Sequence, residues 1–165
     1  MLDIDIKEKM KDMEKEDKPK KGFFPAPEVE KDAKELISRF HPHLLDAKIS
    51  YIFRDGKWEK DCRPVMGDVK LMSPYHRVLT GLDFGIIVNY RLWLSITSKK
   101  QHQAIIDHLL AYCGYTEDKN GDRKWKKVVP TIAEFPEVVA RHGAYNETVV
   151  ELADSLAEFE KGEEA

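Results

Sequence analysis

The run Leu82-Asp83-Phe84-Gly85-Ile86-Ile87-Val88-Asn89 constrains the fold more than any other stretch of this chain. Its β-branched and aromatic residues follow one another almost without a polar break, the pattern of a strand inside a sheet and covered on both faces. A strand of that kind needs partners. Lys48 to Arg54 alternates well enough to supply one and ends at the turn pair Asp55-Gly56, while Val65 to Met72 supplies another. Trp125 to Val129 is a further short strand, reached through the turn cluster Glu117 to Asp122.

Helices alternate with these strands. Between Glu28 and Phe40 the apolar residues Val29, Ala33, Leu36, Ile37 and Phe40 recur at helical spacing, and His41-Pro42-His43 stops the pattern. Thr97 or Ser98 caps a second helix running to about Cys113, with Gly114 just past its end. Thr131 to Glu134 matches a capping box, although Pro136 would delete a hydrogen bond and can delay the regular helix that ends at Gly143. A last helix from about Glu147 carries Leu152, Leu156 and Phe159 on one side and an acidic excess. The expected fold is therefore α+β, a small mixed or antiparallel sheet with the 28–40 and 98–113 helices packed against it.

A chain of 165 residues fits one compact domain with tails. Residues 1–22 hold as many acidic as basic side chains and few large apolar ones, so they read as a charged arm. Leu2, Ile4, Ile6, Met10 and Met13 make a weak stripe within it. Phe23-Phe24-Pro25-Ala26-Pro27 is a stiff connector that opens the domain, expected over 23–146, and 147–165 form an acidic helix and tail. With 27 basic and 30 acidic residues there is no global basic footprint, so nucleic acid is not an expected partner despite Lys99-Lys100 and the Arg123-Lys124-Trp125-Lys126-Lys127 strand. No apolar run is long enough for an anchor or a signal peptide, and Cys62 and Cys113 form no disulfide framework. A cytoplasmic protein without membrane contact is expected.

One helix bears on chemistry. Zinc peptidases place two His one turn apart on a helix and a Glu beside the first as general base. Here the register reads His108-Leu109-Leu110-Ala111-Tyr112, with Leu109 where the Glu would stand and Tyr112 where the second His would stand. Leu109 takes no proton from water, and a positioned base typically contributes about 100- to 10,000-fold in rate. One imidazole with a neutral phenol holds zinc poorly at neutral pH. His102, Cys113 and Asp107 do not share the His108 face of the helix, and His41, His43, His76 and His142 come from distant segments. On periodicity alone, a single His in an apolar helix is a hydrogen-bonded structural residue.

Its surroundings change that reading. The blocks AKELISRFHPHLLDAKISYIFRD, LTGLDFGIIVN, AIIDHLLAYCG and DRKWKKVVPTIAEFPEVVARHG, in this order, resemble the phage metallopeptidase family over roughly residues 28–145. The resemblance implies a zincin-like fold, an origin in phages or prophages and hence a bacterial host cell. It also implies that the 107–113 helix is where the family carries His-Glu-x-x-His. This chain keeps only His108 of that motif, and Thr131 stands where the family has a His that would be a third ligand. Glu134 is a carboxylate nearby in sequence, with a capping role of its own. The fold is thus inherited while His108, Leu109, Tyr112 and Thr131 mark a degenerate site. No catalytic residue and no cofactor is expected, and the implied function is a protein-binding module that blocks or redirects a host factor such as a defence system. The competing readings are a metallopeptidase holding zinc through an unorthodox ligand set, and a nucleic-acid-binding protein.

Overall fold

The computed structural model describes residues 22–164, so the charged arm lies, apart from Gly22, outside the described residues. The chain divides into two compact units, 22–128 and 129–164, each described by itself.

In the first unit, β1 (Phe23–Pro25) leads through Ala26 into α1 (Pro27–Phe40). Proline at the first helical position, Glu28 and Glu30 in the first turn and Arg39 in the last all suit a helix. Val29, Ala33, Leu36 and Ile37 form its buried face. Pro42 then opens a single 3-10 turn, Pro42–Leu44, whose Leu44 enters the core. The sheet has the order β1-β2-β6-β5, with β2 (Ile49–Arg54), β5 (Gly67–Leu71) and β6 (Phe84–Asn89). Strands β2 and β6 run parallel in register from Ile49 opposite Phe84 to Arg54 opposite Asn89, and the two outer pairings are antiparallel. The sheet is mixed and the fold is α+β, as expected.

Strand β6 lies inside the sheet, but one of its faces is much better covered than the other. Phe84, Ile86 and Val88 are at most 1% exposed and share a face with Phe53 and Val69, under α1 and α4 (Lys99–Ala111), which pack against each other. On the opposite face Ile87 and Ile52 are half-buried, and the ε-methyl of Met72 and the Ser50 hydroxyl crowd the space above Gly85. The apolar run in the sequence reads as burial on both faces, and the structure gives full burial on one and partial cover on the other.

Several short elements were not expected. The two-residue strands β3 (Glu59–Lys60) and β4 (Arg63–Pro64) flank Asp61 and Cys62, both with positive φ, in a turn that lacks the usual glycine. Helix α2 (Pro74–Thr80) has the Ser73 cap, Pro74 at its start and Gly81 in the left-handed conformation at its end, signals that were available. It buries none of its residues, so no core periodicity marked it. Helix α3 (Tyr90–Ser95) starts where the Asn89 side chain accepts the Leu92 N–H at 3.2 Å.

The helix expected to reach Cys113 ends at Ala111, and Cys113 opens β7 (Cys113–Glu117), which pairs with β8 (Arg123–Lys127). Gly114 is therefore a strand residue rather than a helix stop, and the Val128 side chain occupies the space a β-carbon there would need. The Asp118 carboxylate accepts the Asn120 and Asp122 N–H groups and shapes the hairpin turn. Trp125 sets its ring edgewise against Phe84, with centroids 5.7 Å apart, and ties the hairpin to the core.

In the second unit, α5 (Pro136–His142) ends at Gly143 and α6 (Glu147–Glu164) follows. The Thr131 capping box does not form. The helix starts only at Pro136, and the Glu134 carboxylate instead accepts the Phe135 N–H and the Tyr145 hydroxyl. The Tyr145 hydroxyl, followed by the Phe135 N–H, holds the Glu134 carboxyl below its ordinary range. Among the described residues no helix is long and apolar enough to cross a membrane.

Candidate functional site

Helix α4 begins where the Ser98 hydroxyl accepts the Gln101 N–H. Ile105, Ile106, Leu109 and Leu110 then fall on one arc and are all buried. His108 is rotated about 100° from Leu109, which carries it off that arc, and it is exposed. Tyr112, one turn further on, is half-buried at the arc's edge. Its ring meets His108 edgewise, with centroids 5.3 Å apart and planes at 86°. The expected hydrogen-bonded structural role of His108 is therefore not what the fold gives it, since an aromatic contact at the surface takes that place.

Leu109 and Lys127 decide what this flank can do. Leu109 is 1% exposed, and its methyl groups lie over Gly67 of β5 so closely that a β-carbon on that glycine would sit 2.9 Å from one of them. Lys127, from β8, brings its ammonium within 5.5 Å of the Tyr112 ring centre and 3.2 Å from the Asp68 Oδ1. Asp68 also meets Lys70 at 3.0 Å. Desolvation raises the Asp68 pKa, but the two lysines outweigh it and the carboxyl is held below its ordinary range. The flank of the helix that would face a metal thus already carries a lysine ammonium paired with a carboxylate.

The other candidates find separate partners. His41 Nε2 donates to Asp107 Oδ1 at 2.5 Å, which fixes Asp107 away from His108. His43 Nε2 donates to the Cys113 carbonyl at 2.9 Å, and His102 stacks on Trp93 at 3.7 Å while donating to the Trp93 carbonyl. His76 bonds the Ser73 hydroxyl at 2.8 Å. In the second unit Thr131 is exposed, and His142 lies 6.5 Å from Tyr145, ring to ring. Among the described residues no three His, Cys, Asp or Glu side chains converge as a metal-binding group. The donor set around His108 does not fit a zinc centre, which takes three protein ligands with a fourth position open.

A nucleophilic cysteine does not replace it. Cys113 is buried beside His43, but the imidazole bonds its carbonyl rather than its sulfur, and burial pushes the thiol up to about 12, only partly opposed by Lys127. Cys62 is exposed on its turn. At neutral pH an aromatic disulfide reagent is expected to titrate one thiol per folded chain and two after denaturation. The fast reaction should vanish in Cys62→Ser, and a second fast thiol in the folded protein would contradict this placement.

Two concavities lie elsewhere on the first unit. A groove of about 580 Å³ runs between α1 and β2, lined by Ile37, Leu44, Ala47, Ile49, Tyr51 and Leu82 among others. A smaller one of about 230 Å³ lies beside Trp58, Asn89 and Arg91. Neither is lined by His108, Leu109 or Tyr112.

Neither the curated proteins nor the solved structures contain a significant match to this chain. A family model described as "Putative phage metallopeptidase" matches residues 21–157, running through the sheet, the α4 helix with His108 and the segment that includes Thr131. Most of the chain lies within that match, and the chain belongs to this phage metallopeptidase family.

Proposed function

We propose that this chain is a non-catalytic member of its family that works by binding another protein, a host factor such as a component of a defence system. The observation that carries the proposal is the seat of Lys127 over Tyr112, because it puts a positive charge where a metalloenzyme would hold its cation. Leu109 supports it from the other side. Its apolar side chain, packed in the core, offers no group at that position to take a proton from a water molecule. The protein-binding half rests on the exposed apolar side chains the fold leaves uncovered, Tyr75, Val78 and Leu79 on α2 and Leu156 and Phe159 on α6 among them.

Elemental analysis tests the non-catalytic half. Protein purified without added metal is expected to hold far less than one zinc per chain, with thermal stability unmoved by zinc or chelator. About one zinc per chain, lost in His108→Ala, would establish the competing metallopeptidase with an unorthodox ligand set. Immobilised protein that retains no bacterial protein from a host lysate would count against the binding half.

A further inference from the structure

The groove between α1 and β2 exists because β1 is short. Its pairing with β2 ends at Pro25 opposite Ile52, and the Ala26 N–H donates to the Tyr51 carbonyl at 3.1 Å before the chain turns into α1. Beyond Ala26, β2 has a described strand on one side only. The Lys48 carbonyl accepts the Phe84 N–H at 3.2 Å and so faces β6, whereas the Tyr51 carbonyl faces the other way. Main-chain groups alternate in direction along a strand, so Ile49 points its N–H and C=O to the same side as Tyr51. A short open strand edge therefore borders the groove, and Ile37, Leu44, Leu82 and the Ile49 and Tyr51 side chains line it.

We propose that this groove is the docking site of segment 2–7 of the same chain, taken up as an added strand beside Ile49. That segment lies outside the described residues, and its sequence carries the argument. Leu2, Ile4 and Ile6 alternate with Asp3, Asp5 and Lys7, which is the strand period. Laid along the open edge, the three apolar side chains turn to Ile37, Leu44 and Leu82. Asp3 and Asp5 then turn to the opposite face of β2, the side to which alternation sends Lys48 at the groove's rim. Lys48 is exposed and forms no ion pair among the described residues. Main-chain bonds to Ile49 hold such a strand, and the apolar wall selects its alternate side chains.

The chain is long enough to make this connection. Residues 8–21 join the segment to Gly22, whose carbonyl accepts the Asp55 N–H at 2.9 Å. Along β2 the path from Ile49 to Asp55 is about 20 Å, and the connecting residues reach about 45 Å when extended. Tethering also raises the local concentration of the segment to about the millimolar range, so it outcompetes a free peptide of the same sequence. The docking holds whether or not the protein binds metal or a host factor.

Amide hydrogen exchange followed by NMR compares the full chain with L2D/I4D/I6D, whose substitutions lie outside the described fold. The Ile49 amide is expected to exchange at least about tenfold more slowly in the parent, while the Val88 amide, inside the sheet, exchanges equally in both and shows that the fold is intact. A labelled peptide with the sequence of residues 1–8 is then titrated by fluorescence anisotropy. It is expected to bind L2D/I4D/I6D and to bind the parent at least about tenfold more weakly. Equal exchange at Ile49 in the two proteins, or a peptide that does not bind the variant, would overturn the proposal. Protection at Ile49 that is lost on dilution as a dimer dissociates would overturn it too, because the strand would then come from a second copy.

Discussion

Replacing Leu109 by Glu, which puts a carboxylate beside His108 as in His-Glu-x-x-His zinc peptidases, is expected to make the protein unfold more readily rather than to give it activity. Leu109 is 1% exposed and sits between Ile105, Ile106 and Leu110 on the buried arc of α4. Removing a buried leucine side chain alone costs about 2–5 kcal/mol, and burying the carboxyl in its place adds a desolvation cost of its own. The sign of the pH effect follows. Burial favours the neutral acid and raises the folded-state pKa above the ordinary value of about 4.3. The folded state then holds its proton longer than the unfolded chain, so the variant loses stability as pH rises above that ordinary value.

Urea unfolding of L109E at several pH values measures this, with L109A as the pure cavity reference. L109M, which keeps the volume, should cost under about 1.5 kcal/mol. If L109E matched the parent at neutral pH, its carboxylate would be reaching solvent beside His108. The flank would then be open enough to rebuild a metal site, and the non-catalytic reading would lose the support that Leu109 gives it.

The same helix shows how far the sequence could be read. Apolar spacing placed α1 and α4, because their buried residues recur with the helical period; alternation placed β2, and an unbroken run of β-branched and aromatic residues placed β6. It failed where local chemistry and packing pulled apart. Cys113 continues the apolar spacing of α4, yet it is the first residue of β7, because its buried side chain serves a hairpin strand equally well. Helix α2 buries nothing, so its only signals were Ser73, Pro74 and Gly81.

At the candidate site, the departure from His-Glu-x-x-His at Leu109 and Tyr112 was visible as residue identity. What no single segment could reveal was that Lys127, fifteen positions beyond Tyr112, folds back over its ring, or that His41 claims Asp107. Both are contacts between elements far apart in the chain. The pairing of β7 with β8 supplies the first, and the close packing of α1 against α4 supplies the second.

Gly67 gives the second large effect, because it reports how closely helix and sheet approach at the motif. A β-carbon there would meet the Ile87 carbonyl oxygen at 2.5 Å and the two Leu109 methyls at 2.9 and 3.2 Å. The Leu109 methyls can turn aside, but the Ile87 carbonyl belongs to the strand at the middle of the pairing between β2 and β5. G67A is therefore expected to cost about 1–3 kcal/mol or somewhat more, the range for overpacking a filled core. G85A is the internal comparison. Its new methyl would meet the movable end of Met72 at 3.0 Å and the Ser50 hydroxyl at 3.3 Å, so its cost should be smaller.

The double variant G67A/L109A separates the two contributions to the Gly67 clash. Truncating Leu109 removes the side-chain contact and leaves the carbonyl contact, so the double should cost less than the sum of the singles by about 0.5–3 kcal/mol. Strict additivity would mean that the two residues do not share space. Coupling of the expected sign means that β5 and α4 are in van der Waals contact at Leu109, the position next to His108. A hydrolytic zinc site needs the opposite there, an open cleft that admits water and substrate to the metal. The absent β-carbon of Gly67 and the apolar side chain of Leu109 then form a single contact, and the position next to His108 is packed as core.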